Sequence, residues 1–351
     1  MKIALLLIGA LFIIATLIPR ARHDHWIVRD FDFPHVQITV VNLLIFILFW
    51  ILVPLATWSW LDITFMVILV GCLIYQAFII YPYTPIAQLP VRKSEETPGD
   101  NSLGLMVTNV LMTNRNAQGC LDIVADVNPD ILLMVETDEW WCEQMQPLKE
   151  KYRHFVEFPE DNTYGMLLYS KLPIEQYDVK FLVENHIPSI HAELSLPSGQ
   201  RFNLHCVHPE PPSPSESETS TQRDAELLIV GKKLLDEDKP TIVAGDLNDV
   251  AWSYTTRLFI KVSRLLDPRM GRGFFSTFHA KYWLMRWPLD HVFISPHFKL
   301  LDLKRLPYYG SDHFPIYISL NYEPAEDDEE QLEEADEEDH ALAEEKIQEV
   351  K

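Results

Sequence analysis

Long apolar runs separated by short polar connections dominate the first 83 residues of the chain. The runs are Ile3–Ile18, Ile38–Trp58 and Ile63–Tyr81, of which the second and third contain no charged residue. A helix of about 20 apolar residues crosses the hydrocarbon core of a bilayer, so these runs predict spanning helices, the first being the shortest. No small-residue cleavage site follows the first run, which argues against a signal peptide. We therefore expect residues 1–83 to form a membrane domain with three transmembrane helices.

The charges that flank these runs bear on the side of the membrane on which the rest of the chain lies. With three spans, Lys2 and the residues after 83 lie on opposite sides. The positive-inside rule favours a cytoplasmic location for the later part, because its side holds more basic residues. These are Arg20, Arg22, Arg29, Arg92 and Lys93. The same side also carries three aspartates, and a short first helix can insert with its N-terminus inside, so the sequence leaves both orientations open.

From residue 102 onwards the pattern changes to short apolar segments of strand length. A proline-rich linker at 84–101 precedes this part, and we expect an α/β domain over 102–323. Helical periodicity predicts helices at Ala117–Val127 and around Asp224–Leu235. The predicted strands are Leu105–Leu111, Ile131–Val135, His154–Glu157, Tyr164–Tyr169, Val179–Val183, His191–Leu196, Arg201–His205, Ile242–Ala244, His291–Ile294 and Pro315–Leu320. So many strands with so few helices favour two packed mixed β-sheets flanked by helices over a doubly wound parallel sheet.

The charge of the chain is concentrated in its last residues. The formal net charge is −22, and residues 324–351 contribute −12 of it with 2 basic and 14 acidic residues. This tail has few bulky apolar side chains and cannot bury enough surface to offset the entropy lost on ordering. We expect 324–351 to be a disordered tail or a solvated helix. Its charge is suited to recruiting a basic partner.

Polar residues recur at the ends of the predicted strands. They are Asn109, Glu136, His208, Asp246, Asn248, Asp312 and His313, with Asp290 just before a strand. Each one alone is as well explained by a turn or by an exposed strand end. Six such places in a single domain favour a shared site over coincidence.

The side chains in this set suit one kind of chemistry. Oxygen ligands without paired cysteines favour a hard ion such as Mg²⁺, with Mn²⁺ as a substitute. Two histidines, whose pKa values lie near neutrality, can orient or deprotonate a water molecule. An aspartate hydrogen-bonded to one of them would fix its tautomer and raise its basicity. Together these residues predict metal-assisted hydrolysis of a phosphoester.

The order of these residues along the chain resembles the endonuclease/exonuclease/phosphatase superfamily, which has the DNase I-like fold. The motifs that carry the resemblance are Asn109, Glu136, His208, Asp246-x-Asn248, Asp290-His291 and Ser311-Asp312-His313. The resemblance covers about residues 103–322 and implies a four-layer sandwich. The superfamily includes nucleases, sphingomyelinases and inositol-phosphate phosphatases. Its membrane-attached bacterial branch is the most similar, which implies a bacterial inner membrane as the location.

The resemblance also implies a metal site. Glu136 would be the principal Mg²⁺ ligand, with Asn109 and Asp312 near the metal. Two positions depart from the family pattern: Leu111 stands where the family often has a polar residue, and Val207 where it often has threonine. Neither departure removes a required ligand.

Catalytic roles follow from the same resemblance. Asp246 would position or activate the attacking water, and Asn248 would hold a phosphate oxygen. His313, paired with Asp290, would serve as base or charge stabiliser. His208 would be a second phosphate contact or the acid for the leaving oxygen.

Weaker signals surround these residues. His205 fits a core or supporting position, Asp249 a turn, and Tyr164 either a substrate contact or packing. Residues 257–286 hold seven basic residues against the single acid Asp267, with aromatic residues among them. This segment is a candidate for holding an anionic substrate or lipid headgroups, and a solvated charged face is the alternative. Proteins that bind duplex DNA usually carry positive charge over a broader surface than this segment provides.

These observations predict a membrane-anchored, Mg²⁺-dependent phosphoesterase that acts on a lipid headgroup or a small phosphorylated substrate. The first alternative is a nuclease acting on DNA or RNA. The second belongs to another class: a catalytically silent, membrane-tethered interaction protein that uses its acidic tail.

Overall fold

The computed structural model describes residues 1–235, 239–324 and 333–351. Its helices are α1 (Lys2–Leu17), α2 (Trp26–Arg29), α3 (His35–Leu52), α4 (Trp60–Ile80), α5 (Ala117–Val127), α6 (Glu139–Gln144), α7 (Thr221–Leu234), α8 (Tyr254–Ser263) and α9 (Glu337–Gln348). Its strands are β1 (Ser102–Asn109), β2 (Ile131–Val135), β3 (His154–Phe158), β4 (Met166–Ser170), β5 (Ile174–Lys180), β6 (Ser189–Ser195), β7 (Arg201–Cys206), β8 (Thr241–Asp246), β9 (Asp290–Ile294), β10 (Phe298–Arg305) and β11 (Ile316–Tyr322). Short 3₁₀ turns lie at Ile18–Ala21, Asp30–Asp32, Leu55–Thr57, Tyr81–Tyr83 and Gln146–Glu150.

Three apolar helices, α1, α3 and α4, pack against one another at the N-terminal end of the chain. By length and composition, Lys2–Ala21, His35–Leu52 and Trp60–Tyr83 could each cross a membrane. Most of their large apolar side chains point outwards, as they would towards lipid. Inside, the Asn42 amide donates to Thr16 Oγ1 at 3.1 Å and to Gln76 Oε1 at 3.2 Å. Polar contacts of this kind hold helices together where the surroundings are as apolar as the helices.

Two mixed sheets form the centre of the second part of the chain, with strand orders β10-β11-β1-β2-β4-β3 and β5-β6-β7-β8-β9. Alternate side chains such as Leu105 and Val107 enter the core between the sheets, where they meet Leu204 and Ala244. Met106 points the other way, onto the layer of α5 and α6. Helices α7 and α8 cover the outer face of the second sheet. The predicted four-layer arrangement of two mixed sheets flanked by helices is therefore confirmed.

The strands that were missed or misplaced lie at sheet edges. The predicted Val179–Val183 lies instead at β5, whose side chains are mostly exposed and polar. Strand β10 carries four charged residues and was not predicted. Edge strands need no continuous apolar pattern, because one side is open to solvent. Helix α8 was missed as well, since its Tyr, Thr and Val residues favour strands by propensity.

The predicted linker at 84–101 is partly ordered against the first sheet. Leu300 N donates to Arg92 O and Ser94 N donates to Leu300 O, both at 2.9 Å. Val91 is buried in the core between the sheets. The linker thus extends the β10 edge by a few residues rather than crossing free solvent.

The tail differs from the expected disordered segment or solvated helix. Residues 325–332 lie outside the described residues, but Glu337–Gln348 forms α9, which packs on α7 and α8. Ala343 and Ile347, four residues apart, enter a cluster with Leu228 and Leu258. The two apolar residues on one face of α9 and its capping box are sufficient for the helix to pack against the domain. The overall composition of the tail had predicted a disordered segment or a solvated helix.

A buried group of charges joins α2, α7 and α9. Asp224 Oδ2 lies 3.2 Å from Arg29 Nη2 and 3.3 Å from Lys346 Nζ. Arg223 Nη2 is 2.8 Å from Asp224 Oδ1, and Lys346 is also 2.9 Å from Asp24. One carboxylate therefore holds three cations that come from three separate parts of the chain.

Replacing Asp224 by Asn should destabilise the protein by about 3–5 kcal/mol, because three buried cations lose the carboxylate that they share and keep only Asp24, Asp32 and Asp249 as partners. Burial raises the pKa of Asp224, but Arg29, Arg223 and Lys346 outweigh it and hold that pKa well below its usual range. A carboxylate with a lowered pKa stabilises the fold above its unfolded pKa of about 4, and the contribution is lost as the pH falls. The deficit in thermal unfolding of the detergent-solubilised protein should be full at about pH 7 and shrink below about pH 4.

The matched control is Asp178→Asn, which removes an exposed carboxylate on β5. It should change stability by less than about 0.5 kcal/mol at either pH. A deficit of Asp224→Asn that stays constant down to about pH 3 would contradict the ionic interpretation.

Candidate active site

The ends of β1, β2 and β8 meet at one edge of the sandwich. Asn109 is the last residue of β1, Asp246 the last of β8, and Glu136 directly follows β2. Asn109 Nδ2 donates to Glu136 Oε1 at 2.6 Å and to Asp246 Oδ2 at 2.9 Å. Leu111 N donates to Asn109 Oδ1 at 2.9 Å and so fixes the amide in this orientation. The structure thus brings together three residues predicted for the site, one from the first sheet, one from the second and one from the turn after β2.

Strained backbone marks the same turns. Leu111, Glu136 and Asn248 have φ of +54°, +59° and +51°, in the left-handed region that non-glycine residues seldom adopt. Such conformations persist only where the surroundings enforce them, and they cluster at functional sites. At Gly245, with φ of +151°, an added Cβ would lie 1.8 Å from the carbonyl oxygen of Val207. Glycine is therefore required for β8 to approach the chain beyond β7.

The surroundings of Glu136 raise the pKa of its carboxyl group. Burial is the largest cause of the raised pKa of Glu136. Asp246 and Asp312 also raise this pKa, the Asn109 hydrogen bond lowers it, and the net value is about 7. Burial also raises the pKa of Asp246. In the part of the chain that the structure describes, no lysine or arginine forms an ion pair with either group. A buried and a half-buried carboxylate without a basic partner other than a histidine favour the binding of a cation.

His313 forms a buried pair with Asp290, the first residue of β9. His313 Nδ1 lies 2.7 Å from Asp290 Oδ2, and Nε2 lies 3.5 Å from Asp246 Oδ2. Burial lowers the pKa of His313, but the carboxylates of Asp290 and Asp246 outweigh it and raise the pKa to about 10. Ser311 Oγ donates to Asn109 O at 2.8 Å and accepts from His313 N at 3.0 Å. The loop that carries His313 is thereby fixed to the end of β1.

His208 lies two residues beyond β7 and is buried beside the Tyr164 ring, 5.4 Å away between centroids. Burial lowers its pKa to about 4, so the imidazole is neutral at physiological pH. Its Nδ1 has no hydrogen-bond partner among the described residues. Tyr164 itself donates to Glu216. His208 therefore offers an unused ring nitrogen next to Asp246.

Three hydrogen bonds fix the turn at Asn248. Asn248 N donates to Asp246 Oδ1 at 3.0 Å, and its Nδ2 donates to Pro209 O at 3.0 Å. Arg223 Nη1 donates to Asn248 O at 2.7 Å. The Nδ2 group of Asn248 is thus engaged by the protein, and contact with a phosphate oxygen remains a prediction.

Several candidate residues lie outside this cluster. His205 is buried on β7 with its Nδ1 2.6 Å from His191 Nδ1, consistent with a core position. Asp249 is more than a turn residue, because it is buried, accepts from Ser253 Oγ at 2.5 Å and lies 3.3 Å from Arg223. Local sequence could not show this, since Arg223 is distant in the chain.

The basic segment 257–286 does not form one open patch. Arg269 is buried and paired with Asp267 at 2.8 Å, and Lys261 is paired with Asp339 at 2.8 Å. Arg286 stacks over the ring of Phe314. Several basic residues of the segment 257–286 are therefore engaged in ion pairs or ring contacts within the protein.

Phe278 and Arg223 were not singled out by sequence reasoning. The Phe278 ring lies 5.0 Å from the His313 ring between centroids, and Arg223 holds the Asn248 turn. Neither residue has a local signal, because each acts through a partner far away in sequence.

Comparison with known proteins decides the family. Residues 106–313, more than half of the 351 residues, match the sequence model of the Endonuclease/Exonuclease/phosphatase family. The chain belongs to this family. Members of the endonuclease/exonuclease/phosphatase family are generally hydrolases that act on phosphoesters and use divalent metals. None of the curated proteins compared with the chain matches it.

Solved structures share the family fold. TDP2 from D. rerio in complex with a single-strand DNA product is 18% identical, with a TM-score of 0.52, and the match covers 63% of this chain and 99% of that one. The human Nocturnin catalytic domain with bound sulfate is 18% identical at 0.52, covering 63% and 94%. An endonuclease/exonuclease/phosphatase from Beutenbergia cavernae is 16% identical at 0.52, covering 64% and 72%. At these identities the similarity shows the fold alone.

The residues present fit the divalent metal that the family generally uses. Glu136 supplies a carboxylate oxygen, the hard donor that Mg²⁺ or Mn²⁺ prefers. Asn109 turns its amide nitrogen towards Glu136 and its oxygen towards Leu111 N, so metal contact by Asn109 and by Asp312 remains a prediction. Asp246, Asp290 and His313 also have ligand atoms within 4.8 Å of one another. His313 Nδ1 is already hydrogen-bonded to Asp290, and which of these residues hold a metal remains a prediction.

Replacing Asp290 by Asn should lower kcat by about 10³–10⁴-fold with little change in KM, as loss of the aspartate behind a catalytic histidine does elsewhere. The physical reason is that Asp290 fixes the tautomer and charge of His313. Hydrolysis of bis(4-nitrophenyl) phosphate with Mg²⁺ measures the effect. The control is Asp178→Asn, which should keep full activity. A variant of Asp290 that retains more than about a tenth of kcat would contradict the dyad.

Proposed function

We propose that this chain is a membrane-anchored phosphoesterase that requires Mg²⁺ or Mn²⁺ and hydrolyses a lipid headgroup or a small phosphorylated molecule. The observation that carries the proposal is the convergence of Asn109, Glu136, Asp246 and His313 within hydrogen-bonding or ion-pairing distance at one edge of the two sheets. These residues combine hard oxygen donors with a charged histidine. That combination is suited to a phosphoryl group, which is negatively charged and is attacked by water.

The protein side of the mechanism follows from the protonation states. Glu136 would be the main residue to hold the ion, with Asn109 and Asp312 near it, and the ion when bound would polarise a phosphoryl oxygen. Asp246 orients the attacking water and accepts its proton. We choose this carboxylate because it ends β8 of the second sheet and also accepts a hydrogen bond from Asn109 of the first sheet. His313 is protonated at neutral pH and therefore stabilises negative charge on phosphorus rather than acting as the base.

His208 has a different role because its imidazole is neutral. A group with a pKa of about 4 is a poor proton source at neutral pH, so contact with a phosphate oxygen is favoured over protonation of the leaving group.

A loop beside the catalytic residues favours a lipid substrate. Ala280 N donates to Asp312 O at 2.6 Å, and farther along the loop four consecutive apolar residues are exposed. These residues are Tyr282, Trp283, Leu284 and Met285, and Trp283 is 73% exposed. Gln37 Nε2, in the first turn of α3, donates to Leu284 O at 2.8 Å. One loop therefore joins the active site to the start of a candidate membrane helix, where tryptophan and tyrosine favour the interface.

Two observations weigh against the alternatives. A nuclease would benefit from broad positive charge, but residues 100–323 carry 21 basic and 31 acidic residues. A silent tether would need a free acidic tail, but Glu344 pairs with Lys232 and Asp339 with Lys261 within the fold.

The substrate class is tested with a panel that contains phosphatidyl lipids, sphingomyelin, inositol phosphates, single-stranded DNA and duplex DNA. The purified full-length protein should hydrolyse a lipid or a small phosphoester, and removal of Mg²⁺ by EDTA should abolish turnover. Glu136→Gln should lower turnover by at least about 10³-fold, because it removes the main charged ligand. Duplex cleavage without lipid turnover would favour the nuclease, and inactivity on the whole panel would favour the tether.

The apolar loop is tested by replacing Trp283 and Leu284 with Ser. Turnover of lipid in vesicles should fall by at least about tenfold, since burying even one such side chain contributes roughly 1.5–3 kcal/mol and each 1.4 kcal/mol is about a factor of ten. Hydrolysis of bis(4-nitrophenyl) phosphate should stay unchanged. The matched control is Tyr177→Ser, an exposed aromatic on β5. Equal loss on both substrates would show that the loop acts through the catalytic residues and not through lipid.

A further inference from the structure

A cavity of about 460 Å³ lies where the three apolar helices meet the catalytic domain. Its walls come from the chain after α1, the start of α3, the end of α4 and the start of α8. The lining residues that matter here are Arg20, Arg22, His35, Tyr75, Tyr254 and Arg257. None of these residues belongs to the active site described above. The cavity is therefore a separate place in the molecule at which something polar can bind.

Three arginines surround this cavity without an acidic partner. Within the described residues, none of Arg20, Arg22 and Arg257 forms an ion pair with a carboxylate. The guanidinium of Arg20 lies 5.2 Å from the centroid of the Tyr75 ring, and that of Arg22 lies 4.2 Å from the centroid of the Tyr254 ring. Asp32 also lines the cavity, but its carboxylate lies 3.6 Å from Arg29. The cavity as a whole thus has an excess of positive charge.

A buried polar atom in the same wall lacks a partner. His35 is 1% exposed, and its Nδ1 makes no hydrogen bond with any described residue. The other ring nitrogen lies 3.9 Å from Asp32 Oδ1, too far for a hydrogen bond. Buried polar atoms nearly always have a hydrogen-bond partner, so an unpaired nitrogen in a cavity wall indicates a missing ligand atom or water.

The position of the cavity indicates which ligand would reach it, if the membrane anchoring proposed above holds. His35 is the first residue of α3 and Tyr75 lies in the last part of α4, so the cavity is level with the ends of the candidate spans. Phe78, which also lines it, is 73% exposed on the outer surface of α4. Apolar surface below and arginines above match a phospholipid, which has acyl chains below a charged headgroup.

We propose that this cavity binds the phosphate of an anionic phospholipid headgroup between Arg20, Arg22 and Arg257. Arginine is suited to phosphate because its planar fork presents several N–H donors, and it is less strongly hydrated than lysine. His35 lies in the wall of the same cavity, and its Nδ1 has no hydrogen-bond partner among the described residues. The bound lipid is a partner that joins the membrane helices to α8, and its site is distinct from the substrate site.

The test uses the full-length protein in detergent with added phosphatidylglycerol, phosphatidylcholine or inorganic phosphate. Bound lipid is counted by native mass spectrometry, and the thermal unfolding midpoint is measured in parallel. Phosphatidylglycerol should bind and raise the midpoint, since a ligand of the folded state stabilises it. Phosphatidylcholine and inorganic phosphate should do so far less. This readout does not depend on catalytic turnover, so it stays informative even if the proposed activity is wrong.

The decisive variant is R20Q/R257Q, which should weaken phosphatidylglycerol binding by about tenfold or more, since each cation near the surface contributes about a factor of five. R20K/R257K keeps the charge and should retain part of the binding, which separates loss of charge from loss of folding. The matched control K151Q/R153Q removes two exposed charges elsewhere and should bind as the unmodified protein does.

Three outcomes would overturn the proposal. The first is undiminished phosphatidylglycerol binding by R20Q/R257Q. The second is equal binding of phosphatidylcholine, which would indicate lipid held by the apolar surface alone. The third is equal stabilisation by inorganic phosphate, which would make the ligand a free anion.

Discussion

The amide of Asn109 is the contact on which the site depends. The half-buried carboxylate of Glu136 and the buried one of Asp246 come from the ends of different sheets and would repel each other if both were ionised. Asn109 donates to both of them, at 2.6 and 2.9 Å, and its own oxygen is held by Leu111 N. The positive charge of His313, whose Nε2 lies 3.5 Å from Asp246 Oδ2, offsets part of the negative charge of the two carboxylates. The packing of the sandwich thus gathers negative charge at one edge of the two sheets, with the Asn109 amide between the two carboxylates.

A second network ties this site to the rest of the chain. Arg223 donates to the carbonyl of Asn248 and is paired with Asp224, which also holds Arg29 and Lys346. The segment after the first apolar helix, the terminal helix and the turn beyond β8 therefore share one buried charge group. Because such a group is costly to leave half-paired, these three parts are expected to be ordered together.

How much could be predicted from the sequence depends on how local each signal is. The buried strand Ile131–Val135 and the helix Ala117–Val127 have the predicted bounds, since continuous apolar runs and proline boundaries are local features. The strand-end residues Asn109, Glu136 and Asp246 were found for the same reason. The polar edge strands, the docked α9 and the role of Arg223 were not, because each is stabilised by partners distant in sequence.

Charge also limits how such a protein can reach its substrate. Residues 100–323 carry an excess of ten acidic residues, so a phosphoester in solution would be repelled at long range, although salt screens this beyond about 8 Å. For the proposed function, attraction would then be local, from the metal proposed at Glu136 and from His313. A membrane anchor relaxes the requirement, because confinement beside a lipid raises the effective concentration of substrate without any long-range steering. An acidic catalytic domain is therefore better matched to a substrate held in the same membrane than to a polyanion that must be drawn from solution.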